Sequence, residues 1–368
     1  LYHLIFVVKI KIIMKVCILG SGLTSLTLAI VLAKLDINID IYSNEIKKGY
    51  DKSRTLGISK SNVTFFNQNI VNIDKLLWEI NKIEIYTDTL KNQKILNFER
   101  NKKELFSTVR NFKLNNLLLY EIKKNKLIKL KKNFNYHRLD KSGYKLIFNC
   151  DSNNLFAKKF FFNNINKDYK SSAYTTIIKH KKIPNNIASQ IFTYKGPLAF
   201  LPISSNETSV VYSVRGNKLI KLEDEIKKYN KKYKGYKLNK VQNFELKSSI
   251  LRSYHYKNIL AFGDLLHKIH PLAGQGFNMT IRDVKEIFKI IKFRIDHGLD
   301  LDTSVCIDFE RKTRHKNYIF SNGIDFIYEF FNSESKLGNN ILSKSVQFVG
   351  KNKTINKIFT NYADNGFI

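Results

Sequence analysis

A glycine-containing turn between a predicted strand and a predicted helix is the first feature whose residue types suggest chemistry. Lys15 to Leu19 (KVCIL) predict a short buried strand, Leu23 to Leu35 predict a continuous apolar helix, and the segment GSGLTS joins them. In such a turn Gly20 permits the bend, Gly22 lets a pyrophosphate approach the backbone, and Ser25 is small enough for helix-to-strand packing. The helix N-terminus adds free N–H groups and partial positive charge. The pattern therefore predicts a dinucleotide site.

The end of the next strand is where such a unit usually binds the ribose. Asn38 to Tyr42 (NIDIY) predict that strand, which completes a βαβ opening. An acidic residue commonly accepts the ribose hydroxyls there. Here Ser43 stands in the expected place and Glu45 follows two residues later. Both are therefore candidates for the ribose contact.

A second motif lies far along the chain, where residues 263–278 read GDLLHKIHPLAGQGFN between a predicted strand (NILAF) and a helix predicted to begin near Met279. Asp264 follows the strand directly, and a carboxylate in that place can hold a polyol hydroxyl. The segment Gly274 to Gly276 precedes the helix and offers unobstructed N–H groups to an anion or a polarised ring. The motif predicts a second contact region for a nucleotide cofactor.

This second motif resembles the second FAD fingerprint of the flavin-dependent aromatic hydroxylases. Within that superfamily it is most similar to the ubiquinone-biosynthesis hydroxylases, whose motif reads GDAAH, a few residues, HPLAGQG and then Asn. The resemblance extends from Met14 to the end of the chain. Arg54 in SRTLGIS with the downstream Trp78, the run KGPLAFLPI ending at Ile203, and Asn322 in NGI resemble further segments of the family.

The resemblance implies an FAD-dependent monooxygenase that hydroxylates the ring of a polyprenylated phenol in ubiquinone biosynthesis. In that scheme NAD(P)H reduces the flavin, O2 adds at its C4a atom, and the hydroperoxide delivers oxygen to the ring. His270 and Pro271 would lie near the flavin ring as catalytic candidates, and Arg110 or Asn111 would contact the cofactor. The residues assigned to the cofactor are Gly20, Ser21, Gly22, Leu23, Thr24, Ser43, Arg54, Arg110, Gly263, Asp264, Pro271, Gly274, Gln275, Gly276, Phe277 and Asn278.

One departure from the family concerns the nicotinamide step. The family carries an Asp-Gly fingerprint associated with both flavin and NAD(P)H, and this sequence contains no Asp-Gly dipeptide. The corresponding stretch, Phe160 to Ser172, has Asn163 and Asn164 in that place. Two alternatives therefore stay open beside the monooxygenase. One is an FAD-binding structural member of a quinone-biosynthesis assembly with little or no activity, and the other is a different FAD oxidoreductase, such as a reductase of prenyl chains.

Other kinds of catalytic site are not favoured. His267 and His270 lie three residues apart near Asp264, but a metal needs further strong ligands, so we predict no metal and a structural role for His267. No GxSxG nucleophile elbow occurs. The three cysteines are widely spaced and outside any CxxC pattern, which argues against a disulfide scaffold or a zinc module.

These motifs need an α/β fold to bring them together. We predict a discontinuous, Rossmann-like FAD domain (residues 14–72, 97–165 and 250–300), an inserted β-sheet substrate domain (73–96 and 166–249) and a C-terminal helical region (301–368). Strand-like runs at Tyr144 to Phe148, Lys159 to Phe162, Tyr174 to Lys179, Ile191 to Ile203 and Ser209 to Val214 predict a sheet-rich second part of the chain. The longest helices are predicted at Ile281 to Ile295 and Ser304 to Phe331.

The charge of the chain admits more than one partner. With 63 Lys+Arg against 31 Asp+Glu, the net charge is +32 over 368 residues. Lys227 to Lys237 (KKYNKKYKGYK) alternates lysine with tyrosine, as a nucleic-acid surface would. The abundance of Lys, Asn, Ile and Tyr is also what an AT-rich coding sequence produces, so we predict no nucleic-acid partner. A basic surface attracts anionic lipid as well.

The remaining predictions concern the ends and the membrane. Residues 1–13 precede Met14 and are expected to be an upstream extension, and no run of apolar residues is long enough for a spanning helix. Phe326 to Phe331 (FIYEFF) is either core or a face for lipid or a partner, and its helical spacing favours core. Because the expected phenolic substrate is hydrophobic, we expect the protein to contact the membrane peripherally. We expect a cytoplasmic protein, either free or on the cytoplasmic face of the inner membrane, that contacts other quinone-biosynthesis proteins.

Overall fold

The computed structural model describes residues 14–43, 52–91, 93–99, 104–136, 143–216, 221–271, 274–337 and 341–350. The predicted extension 1–13, Glu45, and Leu272 and Ala273 of the second motif lie outside these ranges. The strands are β1 Lys15–Leu19, β2 Asn38–Tyr42, β3 Thr55–Ser59, β4 Trp78–Ile80, β5 Lys82–Thr87, β6 Gln93–Glu99, β7 Phe106–Arg110, β8 Ile128–Lys131, β9 Leu146–Asn149, β10 Asn164–Lys179, β11 Ile187–Thr193, β12 Gly196–Pro202, β13 Glu207–Arg215, β14 Lys237–Leu238, β15 Gln242–Leu251, β16 His255–Tyr256, β17 Ile259–Ala261 and β18 His267–Lys268. The helices are α1 Leu23–Ala33, α2 Lys60–Asn69, α3 Asn111–Lys124, α4 Leu155–Phe160, α5 Leu222–Tyr229, α6 Gln275–Asp296, α7 Thr303–Leu337 and α8 Ile341–Gly350.

The first sheet has the strand order β16-β17-β9-β1-β2-β8. All its pairs are parallel except the hairpin of β16 and β17. Helix α1 is apolar all round because it is buried on almost every side, against β1, β2, α3 and α6. The carboxyl ends of β1, β9 and β17 meet at one edge, which is where ligands bind in open α/β sheets.

The second sheet has the order β18-β15-β10-β13-β12-β11-β5-β6, with β14 beside β10. Its pairs are antiparallel apart from β11 and β5. One face packs under α5 around the buried Tyr212 and Ile226, and the other face packs against α7 through contacts such as Phe192 with Phe331. A small antiparallel sheet of order β3-β7-β4 lies apart from both.

Two sequence predictions about strands were wrong. The segment Lys159 to Phe162 lies at the end of helix α4 rather than in a strand, because Asn154 caps that helix and Phe156 packs into the core. The run Ile191 to Ile203 is not one strand but the hairpin of β11 and β12. The chain turns at Gly196, whose φ is +137° and where a Cβ atom would lie 2.0 Å from the Ser213 carbonyl oxygen.

The predicted domain boundaries stay a prediction. The strands of the two large sheets can be compared with these boundaries. Strands β5 and β10 to β15 belong to the second sheet, and β1, β2, β8, β9 and β17 belong to the first. Strand β18 pairs with β15, so residues assigned to the FAD domain extend the second sheet. Within the described residues, no helix combines the length and the apolar character needed to cross a membrane.

Candidate active site

The turn between β1 and α1 leaves its backbone N–H groups accessible. Gly20 has a φ of +110°, and its N–H donates to Tyr42 O at 2.8 Å, which ties the turn to β2. Gly22 is the N-cap of α1, no side chain caps the helix there, and a Cβ atom on Gly22 would meet nothing within 4 Å. The start of α1, at Leu23 and Thr24, thus presents a positive helix end to open space, as a phosphate site requires.

Ser21 and Ser43 are brought together at the ends of β1 and β2. The Ser43 hydroxyl donates to Ser21 Oγ at 2.9 Å, and the Ser43 N–H donates to Lys131 O at 3.1 Å. Ser43 therefore stands beside the first glycine turn, where a ribose hydroxyl would be expected.

The two glycine motifs touch each other. Gly263, which follows β17 with a φ of +63°, packs so closely on α1 that a Cβ atom would lie 2.8 Å from the Thr24 side chain. Asp264 beside it is exposed, and Asp151 lies against Gly20. Burial and the nearby Asp264 and Asp151 carboxylates raise the pKa of the Cys150 thiol to about 12, so this cysteine is an inert thiol. Asp264 is free to accept hydrogen bonds from a polyol.

The start of α6 packs closely on strand β3. Gly274 is its N-cap with a φ of +64°, and a Cβ atom there would lie 3.3 Å from the Gly57 backbone nitrogen in β3. Gly274 N–H donates to Pro271 O at 3.2 Å, which closes the loop before the helix. Gly276 follows in the first turn, and a side chain there would only reach Ile269 at 3.9 Å. Glycine at position 274 thus lets the loop, β3 and α6 meet.

Asn278 has a structural role that its position in the motif does not reveal. It is 2% exposed, its Oδ1 accepts from the Ser59 N–H at 2.8 Å and from Asn62 Nδ2 at 2.9 Å, and its Nδ2 donates to Gly57 O at 2.9 Å. All its polar atoms are therefore used in joining α6 to β3 and α2. The structure gives the Asn278 side chain the role of positioning the α6 N-terminus, and its assignment to the flavin stays a prediction.

Three other residues of this motif differ in whether their side chains could contact a cofactor. Gln275 Oε1 is buried and accepts no hydrogen bond from any residue that the structure describes. Phe277 packs against the main core. Pro271 is half-buried in the loop before α6. Of these three, Gln275 offers the polar atom that still lacks a partner.

The segment with Arg54 lies between the glycine turns and the second sheet. The Arg54 side chain is exposed, and its carbonyl accepts from the Asn111 N–H at 3.0 Å. Ser53 Oγ lies 3.5 Å from Thr175 Oγ1 of β10, so the segment rests on the inner face of the sheet. Arg110, assigned to the cofactor above, pairs with Glu207 of β13. The geometry gives Arg110 the role of joining β7 to the second sheet.

The two histidines of the motif occupy different surroundings. His267 Nε2 contacts Asp283 Oδ2 of α6, and Asp283 Oδ1 accepts from Asn317 Nδ2 of α7 at 3.0 Å. His267 thus fixes β18 to two helices. Its partner is a carboxylate rather than the backbone.

His270, which is predicted to lie beside the flavin, is enclosed by two aromatic side chains in the structure. It is 1% exposed, and its ring centre is 4.9 Å from that of Tyr169 and 4.4 Å from that of Tyr328. Burial, followed by the charges of Arg215 and Lys167, lowers the pKa of His270 from 6.5 to about 3. A neutral imidazole held between two phenol rings packs the loop against α7.

The arrangement fits a flavin dinucleotide. The structure offers helix ends without a side-chain cap at Gly22 and Gly274, an exposed carboxylate at Asp264, and a buried Gln275 oxygen without a hydrogen-bond partner among the described residues. These groups match a pyrophosphate, a polyol and a polar ring respectively.

The lysine and tyrosine run, in contrast, is not an open stacking surface. Tyr229 and Tyr233 are buried in the core beneath α5. They are therefore unavailable to stack on bases.

Comparison with known proteins agrees with this geometry. The sequence model of the FAD binding domain family matches residues 226–296. The chain is 22% identical over 275 residues to the ubiquinone biosynthesis monooxygenase COQ6 of Schizosaccharomyces pombe, covering 60% of this chain and 57% of that protein. It is 27% identical over 175 residues to the 3-demethoxyubiquinol 3-hydroxylase of Escherichia coli, covering 45% of each. The chain thus spans about half the length of these curated relatives.

The fold has a close structural counterpart. The crystal structure of the p-nitrophenol 4-monooxygenase PnpA of Pseudomonas putida superposes with a TM-score of 0.78 at 10% identity, covering 97% of this chain and 99% of that one. The predicted fold class is therefore confirmed. The comparisons also confirm the resemblance at distant identity: part of the chain matches the FAD binding domain family, and its curated relatives include ubiquinone-biosynthesis hydroxylases.

Proposed function

We propose that this chain is an FAD-dependent monooxygenase that hydroxylates the aromatic ring of a polyprenylated phenol in ubiquinone biosynthesis. The observation that carries the proposal is the meeting of the two distant glycine motifs, with Gly263 in contact with Thr24 of the first turn. The names of the curated relatives, a ubiquinone biosynthesis monooxygenase and a demethoxyubiquinol hydroxylase, support the substrate class.

When bound, FAD supplies the redox chemistry that activates oxygen. The residues of the chain bind and orient it. The α1 N-terminus at Gly22 would hold the pyrophosphate, and the Asp264 carboxylate would accept a hydrogen bond from the ribityl chain. The α6 N-terminus, which Asn278 holds in place, and the Gln275 amide would bind the polar ring. NAD(P)H is the proposed reductant, and it would have to bind without the Asp-Gly fingerprint, which the sequence lacks.

The inner face of the second sheet is the place proposed for the phenol. Thr175, Val211, Ala199 and Gln190 stand in register across four neighbouring strands. Three of these side chains are small, so the row leaves room for a ring, whereas Phe192 and the α7 side chains close the sheet further along. Ser53 lies against Thr175, which places the row beside the Arg54 segment. A ring on this row would lie between the sheet and the cofactor.

The proposal predicts a flavin-containing protein. We expect the purified chain to carry FAD or to take it up, with absorbance in the flavin region, and to show phenol-stimulated NADPH oxidation with a hydroxylated product. Gly22→Asp places a carboxylate at the pyrophosphate site and should abolish flavin binding. Gly323→Asp in α7 is the matched control, since it too lies where a Cβ atom meets nothing within 4 Å, and it should bind flavin normally. A colourless protein that takes up no FAD would contradict the proposal.

The substrate row is tested separately. Ala199→Phe fills the row and should leave flavin binding intact while lowering phenol turnover by at least about tenfold, because excluding the ring costs well over the roughly 1.4 kcal/mol that a factor of ten represents. Unchanged turnover would show that the phenol binds elsewhere.

A second candidate is an FAD-binding member of a quinone-biosynthesis assembly with little activity of its own. The missing Asp-Gly fingerprint favours it. The result that distinguishes it is tight flavin binding without hydroxylated product, together with loss of partner hydroxylases from a strain that lacks this chain. A different FAD oxidoreductase would give another product. For each candidate we propose a cytoplasmic protein with peripheral contact to the inner membrane.

A further inference from the structure

A pocket of about 430 Å³ lies on the surface between α7 and the start of the second sheet, away from the glycine motifs. Its main lining residues are Ile165, Ile250 and Arg252 from the strand side and Arg314, His315 and Tyr318 from α7. We call it the α7 pocket. Its volume falls in the range of about 300 to 1,000 Å³ that is usual for small-ligand sites.

The polar side of the α7 pocket is cationic. Two guanidinium groups and an imidazole line it, and no acidic side chain does so among the described residues. Glu310 is 2.9 Å from Arg314 Nη1, but its other oxygen accepts from the Tyr254 N–H and from His255 Nδ1, each at 2.9 Å, so it is held behind the pocket. Arg252 has no acidic partner within 4 Å in the described part of the chain. The pocket therefore suits an anionic group.

Large apolar side chains are exposed on the two chain segments that border the pocket. Phe162 is 72% exposed and lies next to Asn163, whose carbonyl accepts from the Arg252 N–H at 3.0 Å. On α7, Phe326 is 67% exposed and follows His315 by eleven residues, which places it on the same side of the helix about 16 Å further along the axis. Tyr318 is half exposed within the pocket wall. These side chains extend the cationic pocket into an aromatic surface.

The acidic residues of α7 pair with part of this charge. Glu310 pairs with Arg314, whereas Asp308 pairs with Arg294 and Arg311 and Asp325 pairs with Lys167, so Arg252 keeps no acidic partner in the described part of the chain. The chain as a whole carries +32, so two copies meeting on this face would bring like charges together. A free phosphate or nucleotide would use the cations and leave Phe162 and Phe326 in water. An anionic bilayer satisfies both parts, since aromatic rings enter the interface while basic groups meet the lipid phosphates.

We propose that the α7 pocket and the exposed aromatic side chains around it are the surface with which this chain binds an anionic bilayer, a phospholipid headgroup phosphate entering between Arg252, Arg314 and His315. This deepens the peripheral membrane contact proposed above by naming the face that makes it. It does not depend on hydroxylase activity, because its test measures binding to lipid alone.

The test is co-sedimentation of the purified full chain with vesicles of equal parts phosphatidylcholine and phosphatidylglycerol, compared with vesicles of phosphatidylcholine only. We expect binding to the anionic vesicles that weakens with salt. Each basic residue at such a surface contributes about a factor of five, so Arg252→Gln with Arg314→Gln should weaken binding roughly 25-fold. Phe162→Ser with Phe326→Ser should weaken it as well, including at high salt, where the cations are screened.

The matched control is Tyr120→Ser with Lys124→Gln on α3. These residues also form an exposed pair of an aromatic ring and a cation, with Lys124 Nζ 3.9 Å from the centre of the Tyr120 ring. The control should bind vesicles like the parent chain, and every variant should keep the parent's thermal unfolding midpoint. Failure to bind anionic vesicles would overturn the proposal, and so would a control that weakens binding as much as the pocket variants. Protection by inorganic phosphate without vesicle binding would also overturn it, because it would identify a soluble ligand.

Discussion

Two histidines three residues apart in one loop are both almost completely buried, yet their surroundings differ. His267 contacts the Asp283 carboxylate, which in turn accepts a hydrogen bond from Asn317. His270 lies between the rings of Tyr169 and Tyr328, and neither of its ring nitrogens has a hydrogen-bond partner among the described residues. The His267 side chain is buried together with a carboxylate partner. The His270 side chain is buried without a hydrogen-bond partner among the described residues and stays neutral.

This difference indicates how the loop before α6 is held. The His267 contact joins β18, α6 and α7 and therefore fixes the direction of the helix whose N-terminus faces the proposed cofactor site. The His270 contact packs the loop on α7 directly before Pro271. The His267 contact depends on the Asp283 carboxylate, whereas the His270 contact depends on a neutral imidazole. The two contacts should therefore respond differently to substitution and to pH.

The largest effect is expected at His267. His267→Leu leaves the Asp283 carboxylate buried with only Asn317 beside it, and breaking a buried pair from one side typically costs about 3 to 5 kcal/mol. Urea unfolding followed by circular dichroism would measure this loss. The double variant His267→Leu with Asp283→Leu removes the stranded charge and should recover most of the stability. A single variant that loses under about 1 kcal/mol would show that the contact does not anchor the helix.

A smaller effect, dependent on pH, is expected at His270. Its pKa in the folded chain is about 3 against an ordinary 6.5, so the unfolded chain binds the proton more readily. The contribution of this group to stability is therefore complete above pH 6.5 and is lost as the pH falls from there toward 3. Between pH 7.5 and pH 5 it should cost about 2 kcal/mol, since each pH unit below the unfolded pKa costs about 1.4 kcal/mol.

The comparison that isolates this effect is His270→Phe, which cannot titrate. Its free energy of unfolding should fall less between pH 7.5 and pH 5 than that of the parent chain, by about 2 kcal/mol. Other groups titrate equally in both proteins and cancel in the difference. Equal losses would mean that His270 is protonated in the folded state.

The sequence allowed the glycine turns to be predicted because their signals are local. A strand, two glycines and an apolar helix follow each other within about twenty residues at Lys15 to Leu35, and the second motif is equally contiguous. The hairpin at Gly196 was missed although Gly196 and Pro197 form a local turn signal, because the apolar runs on both sides suggested one continuous strand.

The partners of the site residues could not be predicted because they lie far away in the sequence. Asp283 and Asn317 are 16 and 50 residues from His267, and either could equally have been a surface residue of an amphipathic helix. Glu207 pairs with Arg110 across 97 positions, and Gly57 of β3 meets Gly274 at the start of α6. Only in the folded chain do both polar atoms of the Asn278 side chain have hydrogen-bond partners. A motif resemblance alone assigned it to the cofactor.

The smallest predicted effect separates ring packing from hydrogen bonding around His270. Tyr328→Phe keeps the ring beside His270 and removes the hydroxyl that lies 3.0 Å from Ser171 Oγ. Ser171 still donates to Tyr169 O at 2.8 Å, so no buried group is stranded, and the loss should be about 1 kcal/mol, the usual net value of one hydrogen bond. The change in stability between pH 7.5 and pH 5 should equal that of the parent chain, because burial rather than this hydroxyl keeps His270 neutral. A flattened pH dependence in Tyr328→Phe would instead show that the hydroxyl controls the protonation of His270, and the distinction between a paired and a charge-suppressed histidine would then fail.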